Sequence, residues 1–437
     1  MANLVGNFVS KLVLNDVFLQ KCLMDKTNKF SSISFTDEYA EDSEYVLINR
    51  LASQDLNEII SHWKIPKPKL IINVLGGTNS DGLTSKLKRS VREGLTKAAA
   101  YGQAITLTDG LNFGISRHVG RGKRDFSHTC VSKYDPPLIG FINANNTFLG
   151  LELLHHSEKN VSLSTKGLHV NKKPFAYKTG SDALEAQHTG FFLYENCNVI
   201  DRRYQVMRKM QCMWNISSVM VLVGGHENLY KNIFRQLSNG TPLVVLRKSG
   251  GISDIIAKAF TQANQPDMVG IEKEKNCLDV QAILNFKELI VVHDDSKSDS
   301  FEYSIFRAVI QKQISFCNGS CSEQKLLEMQ LSLALDFDQY EFAYNEILQS
   351  GRMTITETKS HRKCLENALK LNNSSFFGVL TTDDYNIREC VNVGFLNRIY
   401  KAVDINDEWC FLRKLGYNVS DSSGVVIDGE DKYIKGG

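Results

Sequence analysis

Lys69 to Gly77 reads KLIINVLGG, an apolar run closed by a glycine pair. Related runs recur at Ala104–Gly110 (AITLTDG), Val219–Gly225 (VMVLVGG) and Pro242–Gly251 (PLVVLRKSGG), each followed by a stretch of helical character. Ile/Val/Leu runs without polar alternation are how strands buried on both faces read, so a parallel α/β sheet flanked by helices is expected. Glycine at a strand exit lets backbone N–H groups approach a ligand, and the following helix N-terminus favours an anion there. A single such pair is an ordinary strand-to-helix turn. Several converging on one sheet edge predict a nucleotide-type crevice.

The bulk numbers narrow the partners. At 437 residues and 42% hydrophobic content the chain supports two or three cores. Fifty-one Lys and Arg against 49 Asp and Glu leave a net charge of +2, too little for a general field that collects nucleic acid or an acidic membrane. The ten cysteines follow no framework spacing; only Cys317 and Cys321 lie close together, without the further ligands of a zinc site. Reduced thiols in a cytosolic protein are the simpler reading, and no metal is expected. The N-terminal stretch lacks the apolar core of a signal peptide, no run reaches the length of a membrane span, and Lys435-Gly436-Gly437 reads as an abrupt, truncated end.

Along the chain, three regions are expected. Residues 1–65 read as a helical or irregular segment, with a helix over Leu51–Trp63 stopped by Pro66 and Pro68. Residues 66–317 read as one α/β domain. Its helices are expected at Thr84–Tyr101, Leu111–Arg124, Asp201–Met213, Glu227–Leu237 and Ile252–Ala263, and further strands at Leu138–Asn143, Thr189–Glu195 and Glu288–His293. Leu151–Ala186 reads as a polar, irregular excursion, a lid or a tolerated insertion. The basic face of Thr84–Tyr101 is read as a solvated surface rather than a calmodulin or phospholipid contact. Residues 318–437 read as an α-helical repeat region: short helices around Asp336-Phe337-Asp338, then Lys363–Leu371 and Gly394–Val403.

Trp63-Lys64-Ile65-Pro66-Lys67-Pro68 followed by LIINVLGG resembles the start of the cytosolic amino-terminal region of the TRPM (melastatin-type) cation channels. TDGLNFGISRHVGRGKRDFS at 108–127, VMVLVGG, NGTPLVVL and SGGISDIIAKAF at 249–260 resemble that family's motifs in order and spacing, over nearly the whole chain. The resemblance implies a Rossmann-like sheet of the SLOG type, the cytoplasmic face of a membrane, subunits of a homotetrameric channel as partners, and no membrane span or nucleic-acid role in this stretch. In some melastatin channels the domain binds ADP-ribose. A nucleotide such as ADP-ribose is therefore the implied ligand.

Candidate ligand contacts are Gly76, Gly77, Thr78, Asp109, Gly110, Gly114, Gly224, Gly225, Gly250 and Gly251 at strand exits, with His226 and Glu227 beside them. Arg202, Tyr204 and Arg208 are candidates from the helix after Thr189–Glu195, where arginine suits phosphate through bidentate contacts. The sequence also departs from the family. Leu75 stands for a threonine, Glu195-Asn196-Cys197 for Asp-Asp-Gly, and Gly251 for a phosphate-contacting arginine. Two alternatives follow. In one, the pocket is vestigial and the domain assembles subunits. In the other, the chain is a nucleotide hydrolase like the cytokinin-activating enzymes, with His226 and Glu227 as acid and base. That second alternative lacks the hydrolase glutamate, since Lys231 takes its place in Val223-Gly224-Gly225-His226-Glu227-Asn228-Leu229-Tyr230-Lys231.

Overall fold

Apolar strands with covered faces and glycine exits build this fold, seen in a computed structural model. It describes residues 29–35, 43–47, 53–77, 83–126, 134–144, 161–164, 167–170, 173–174, 184–195, 197–263, 277–296, 299–317, 322–349, 359–370, 373–381, 395, 419–420 and 424–425. The chain forms two units, Met1–Lys312 and Gln313–Gly437.

The first unit begins with β1 (Lys29–Phe35), β2 (Ser43–Leu47) and α1 (Ser53–His62). There follow β3 (Leu70–Gly76), α2 (Ser85–Tyr101), β4 (Ala104–Thr108), α3 (Gly114–Phe126) and β5 (Leu138–Asn143). After β6 (Val161–Ser164), β7 (Gly167–Val170) and β8 (Lys173–Pro174) come β9 (Gly190–Tyr194), α4 (Val199–Trp214) and β10 (Ser217–Val223). The series closes with α5 (Tyr230–Ser238), β11 (Leu243–Leu246), α6 (Gly251–Ala263), α7 (Cys277–Leu284), β12 (Ile290–His293) and α8 (Phe301–Cys317).

One sheet holds twelve strands in the order β12-β11-β10-β3-β4-β5-β9-β2-β1-β6-β7-β8. The eight from β12 to β2 are parallel to their neighbours. The expected α/β class with a parallel sheet is borne out. Two expectations need correction. Residues 1–65 are not outside the sheet: β2 pairs with β9, with Glu44 opposite Gly190, and Leu56 and Ile59 of α1 share the core with Phe192. The excursion over 151–186 is not wholly irregular either, since β6 pairs in parallel with β1 and carries the β7 and β8 ribbon. Both misreadings have one cause: β2 and β6 are short and are placed by partners remote in sequence, β9 and β1, so their own residues carry little periodic signal.

Alternating side chains give the sheet two covered faces. On one, Ile71, Ile105, Phe141 and Phe192 pack against α1 and the Val206, Met207 and Met210 stripe of α4. Leu75, Leu222 and Val245 continue it beneath α5, α6 and α7. On the other, Ile115 of α3 meets Gly76, and α2 meets α8 where Gly94 faces Phe301. Each fully buried aliphatic or aromatic side chain here stabilises by about 1.5–3 kcal/mol. Helix ends are set locally. Thr84 caps α2 by accepting from Leu87 N, and Asn198 caps α4 by accepting from Ile200 and Asp201 N, each worth about 1 kcal/mol.

In the second unit α9 (Glu323–Asp336) is followed by α10 (Tyr340–Phe342), which runs on as a π-helical turn over Ala343–Leu348. Then come α11 (Lys359–Lys370) and α12 (Ser374–Leu380). Asp338, in the left-handed region at φ 55°, makes the turn expected around Asp336–Asp338 and accepts from Asn373 Nδ2 at 2.6 Å. Apart from Phe395, the helix expected at Gly394–Val403 lies outside the described residues.

Helices α2 and α3 bury His118, whose Nδ1 accepts from Arg92 Nε at 3.2 Å. Burial, then the charges of Arg92, Lys88, Arg121 and Arg117, holds this imidazole down to about 4. The folded chain therefore refuses a proton that the unfolded chain takes up near 6.5. The resulting penalty is absent at neutral pH and grows as pH falls through that window. Between pH 7 and 5 it should remove about 2 kcal/mol of stability. His118→Asn, which keeps an acceptor for Arg92, should flatten the decline in urea unfolding midpoints by that amount; an unchanged slope would show that His118 does not carry it.

Candidate functional site

The chain lays down β3, β4, β5 and β9 in one direction, then α4 carries it back so that β10 pairs on the other side of β3. The switch point is therefore between β3 and β10, and a crevice outside the carboxyl ends of such strands is where ligands of open α/β sheets sit. Gly76 is in register with Val223, and Gly77 N donates to Val223 O at 3.2 Å. Gly224 and Gly225 follow at φ 66° and 94°, conformations that suit glycine. Gly250 and Gly251 are drawn alongside, because Gly224 N donates to Ser249 Oγ at 2.8 Å. Six sequence-predicted glycines thus meet at one edge. Thr78 lies outside the described residues.

Much of the anion-binding capacity of this edge is used internally. Ser249 N and Gly250 N donate to the two carboxylate oxygens of Asp254, at 3.2 and 3.1 Å. Ile252 N and Ser253 N, the next groups at the start of α6, donate to Gly225 O and Gly224 O. The seat that a phosphate takes at a helix N-terminus is filled here by a side chain of the same helix. His226 and Glu227 are exposed on the short 3-10 turn Glu227–Leu229, and His226 makes no side-chain capping bond.

At the end of β4, Asp109 accepts from Leu111 N at 3.1 Å and from the Ser116 hydroxyl, tying the Gly110 turn to the first turn of α3, which begins at Gly114. Behind it Thr108 Oγ1 lies 2.7 Å from His188 Nε2, and His188 Nδ1 lies 3.0 Å from Glu185 Oε2. Gly110 N donates to the threonine oxygen at 2.9 Å, and Nδ1 faces the Glu185 carboxylate as a donor faces an acceptor. A carboxylate, imidazole and hydroxyl in this order is the arrangement of a nucleophilic triad. All three groups are sealed in the core, with Thr108 0% and His188 2% exposed, so the network fixes the turn.

Helix α4 distributes its basic residues by phase. Arg202 is half-buried and donates to Gln205 Oε1; Arg208 does the same to Gln211 Oε1. Tyr204 is turned to α5: its hydroxyl accepts from Asn239 Nδ2 at 2.9 Å, and the Arg235 guanidinium stacks 4.2 Å above its ring. None of these three sequence-predicted residues is thereby committed to the crevice. The residue that sequence reasoning passed over is Arg203. Four and seven positions before Met207 and Met210, it begins the sheet-facing stripe of α4 and is 5% exposed. Its Nε is buried without a hydrogen-bond partner. Burial holds the guanidinium down to about 10, against the supporting charge of Asp109. The helical spacing from the methionines was the signal that could have singled it out.

A doubly wound parallel α/β sheet flanked by helices, with glycine turns at its switch point, is a Rossmann-like fold. The family described as SLOG in TRPM matches residues 45–290, more than half of the chain, and the chain belongs to that family. It is 24% identical over 413 residues to transient receptor potential cation channel subfamily M member 6 of Mus musculus, covering 86% of the chain and 19% of the channel. To member 5 of Homo sapiens it is 22% identical over 381 residues, 79% of the chain and 32% of the channel. To member 2 of Mus musculus it is 25% identical over 258 residues, 54% of the chain and 16% of the channel. The chain spans only a minor part of each, and no described helix is long and apolar enough to cross a membrane. The resemblance drawn from the sequence motifs is borne out.

Proposed function

We propose that this chain is a non-enzymatic, cytosolic regulatory segment of a melastatin-type cation channel, and that its crevice binds a nucleotide such as ADP-ribose or a related dinucleotide. It would act at the cytoplasmic face of a membrane among the subunits of a homotetramer. The observation that supports ligand binding is Arg203, a buried cation within electrostatic reach of Asp109 at the end of β4, with its Nε donor unused. A diphosphate would complete its bonding.

Calorimetric titration of the chain with ADP-ribose, NAD, NADPH, ATP and AMP tests this. Saturable binding of one of them, at least tenfold weaker in Gly77→Val, is the expected result. No heat at millimolar ligand from folded chain would sink it. A second reading, in which the pocket is vestigial and the domain only assembles subunits, draws on Asp254, whose carboxylate holds the N–H groups a phosphate would need. Concentration-dependent self-association without nucleotide affinity would favour it.

A further inference from the structure

Away from the crevice, α2 and α3 cross in close contact. A Cβ added at Gly122 would lie 2.5 Å from Arg92 O and 2.9 Å from Thr96 Oγ1. This approach gathers Lys88 and Arg92 of α2 with Arg117, Arg121 and Arg124 of α3. The spacing on α3, i, i+4 and i+7, keeps its three arginines on one face. All five cations are half-buried. Among the described residues the carboxylate that answers them is Asp125, 2.9 Å from Arg124 Nε and 3.8 Å from Arg92 Nη1. Glu93 is engaged elsewhere, with Lys97 at 2.7 Å and Arg89 at 3.6 Å.

The cluster is under-neutralised and short of acceptors. Arg117 Nε is buried without a hydrogen-bond partner. Arg92 turns its Nε and Nη2 edge onto neutral His118, an acceptor without charge. Like charges this close disfavour one another, and a chain gains nothing in stability by burying them together. A ligand carrying several ionised oxygens in a small volume would supply both the charge and the acceptors, and guanidinium forks match phosphate best.

We infer that the α2–α3 surface is a binding site for a compact, soluble anion bearing several phosphate groups. The soluble source is favoured over a lipid headgroup by what surrounds the site. The large exposed apolar side chains among the described residues are Leu278, Ile314, Met329, Tyr340 and Tyr344, none of them on α2 or α3. A membrane-seated surface would need such anchors beside its cations.

The test is calorimetry of the whole chain with inorganic tripolyphosphate and with inositol hexakisphosphate, at 50 and 150 mM salt, beside flotation with vesicles containing a phosphoinositide. Expected are one saturable site for a soluble anion, at least tenfold weaker in Arg117→Gln/Arg121→Gln and unaltered in Arg89→Gln/Lys97→Gln. Arg203→Met should also leave it intact, which separates this site from the crevice. Thermal melts guard against misfolding: the Arg117/Arg121 variant should melt no lower than the parent without anion. The inference is overturned by absence of saturable binding, by equal loss in both double variants, or by binding to vesicles alone.

Discussion

Gly251→Ala should destabilise the first unit by about 3 kcal/mol or more, whereas the same substitution one residue earlier, Gly250→Ala, should cost about 1 kcal/mol. Both glycines have positive φ, 83° at Gly250 and 55° at Gly251, so both substitutions carry the left-handed penalty of an L-residue. Their surroundings differ. A Cβ at Gly250 meets nothing within 4 Å, while one at Gly251 overlaps the Gly225 carbonyl oxygen and lies 3.1 Å from Gly224 C and Gly225 N. That obstacle is backbone, pinned by Ile252 N and Ser253 N, and it cannot swing aside. Urea unfolding of the two variants reads the difference directly. Equal midpoints would mean that the β10 and β11 turns are not in contact.

Arg203→Met should do the opposite to stability while abolishing ligand binding. At pH 7 the guanidinium is charged although burial has pulled it down to about 10, a shift worth about 3 kcal/mol against the folded state. Methionine has similar length and no charge to desolvate, so the variant should unfold at the same urea concentration or a higher one. If Arg203 is the phosphate contact, nucleotide affinity should fall about a hundredfold, the effect of removing one partner from a buried charge pair. A variant that loses stability and keeps its affinity would show that Asp109 alone occupies Arg203. Asp109→Asn adds a check: it should lower the stability of the parent, since it withdraws the charge that supports the guanidinium.

How much of this was readable from sequence follows from where each residue's partners lie. β3, β10 and β11 were legible because both faces are covered and every position is Ile, Val, Leu or nearly so. Ser43–Leu47 was not: SEYVL has no such uniformity, and its place beside β9 depends on residues about 145 positions away. At the site, the glycines were legible because a strand exit with positive φ has few other solutions. Their use was not, since Asp254 reads equally well as an ordinary first-turn acid until its oxygens are seen on Ser249 N and Gly250 N. Among the arginines of α4, residue type pointed to phosphate, but only helix phase decides which one faces the sheet.

The pairing of β3 with β10 has a consequence in time. Gly76 and Val223, opposite each other in register, are 147 residues apart in the chain. At translation rates of about 5–20 residues per second, β3 waits roughly 7–30 s for its neighbour to be made. Until then the central strand of the sheet is an open edge, with Leu70 to Gly76 unpaired on one side. Closing so long a loop is entropically slow. A nascent or truncated chain that stops short of β10 therefore holds the half of the molecule most prone to aggregate, and it has only one wall of the crevice.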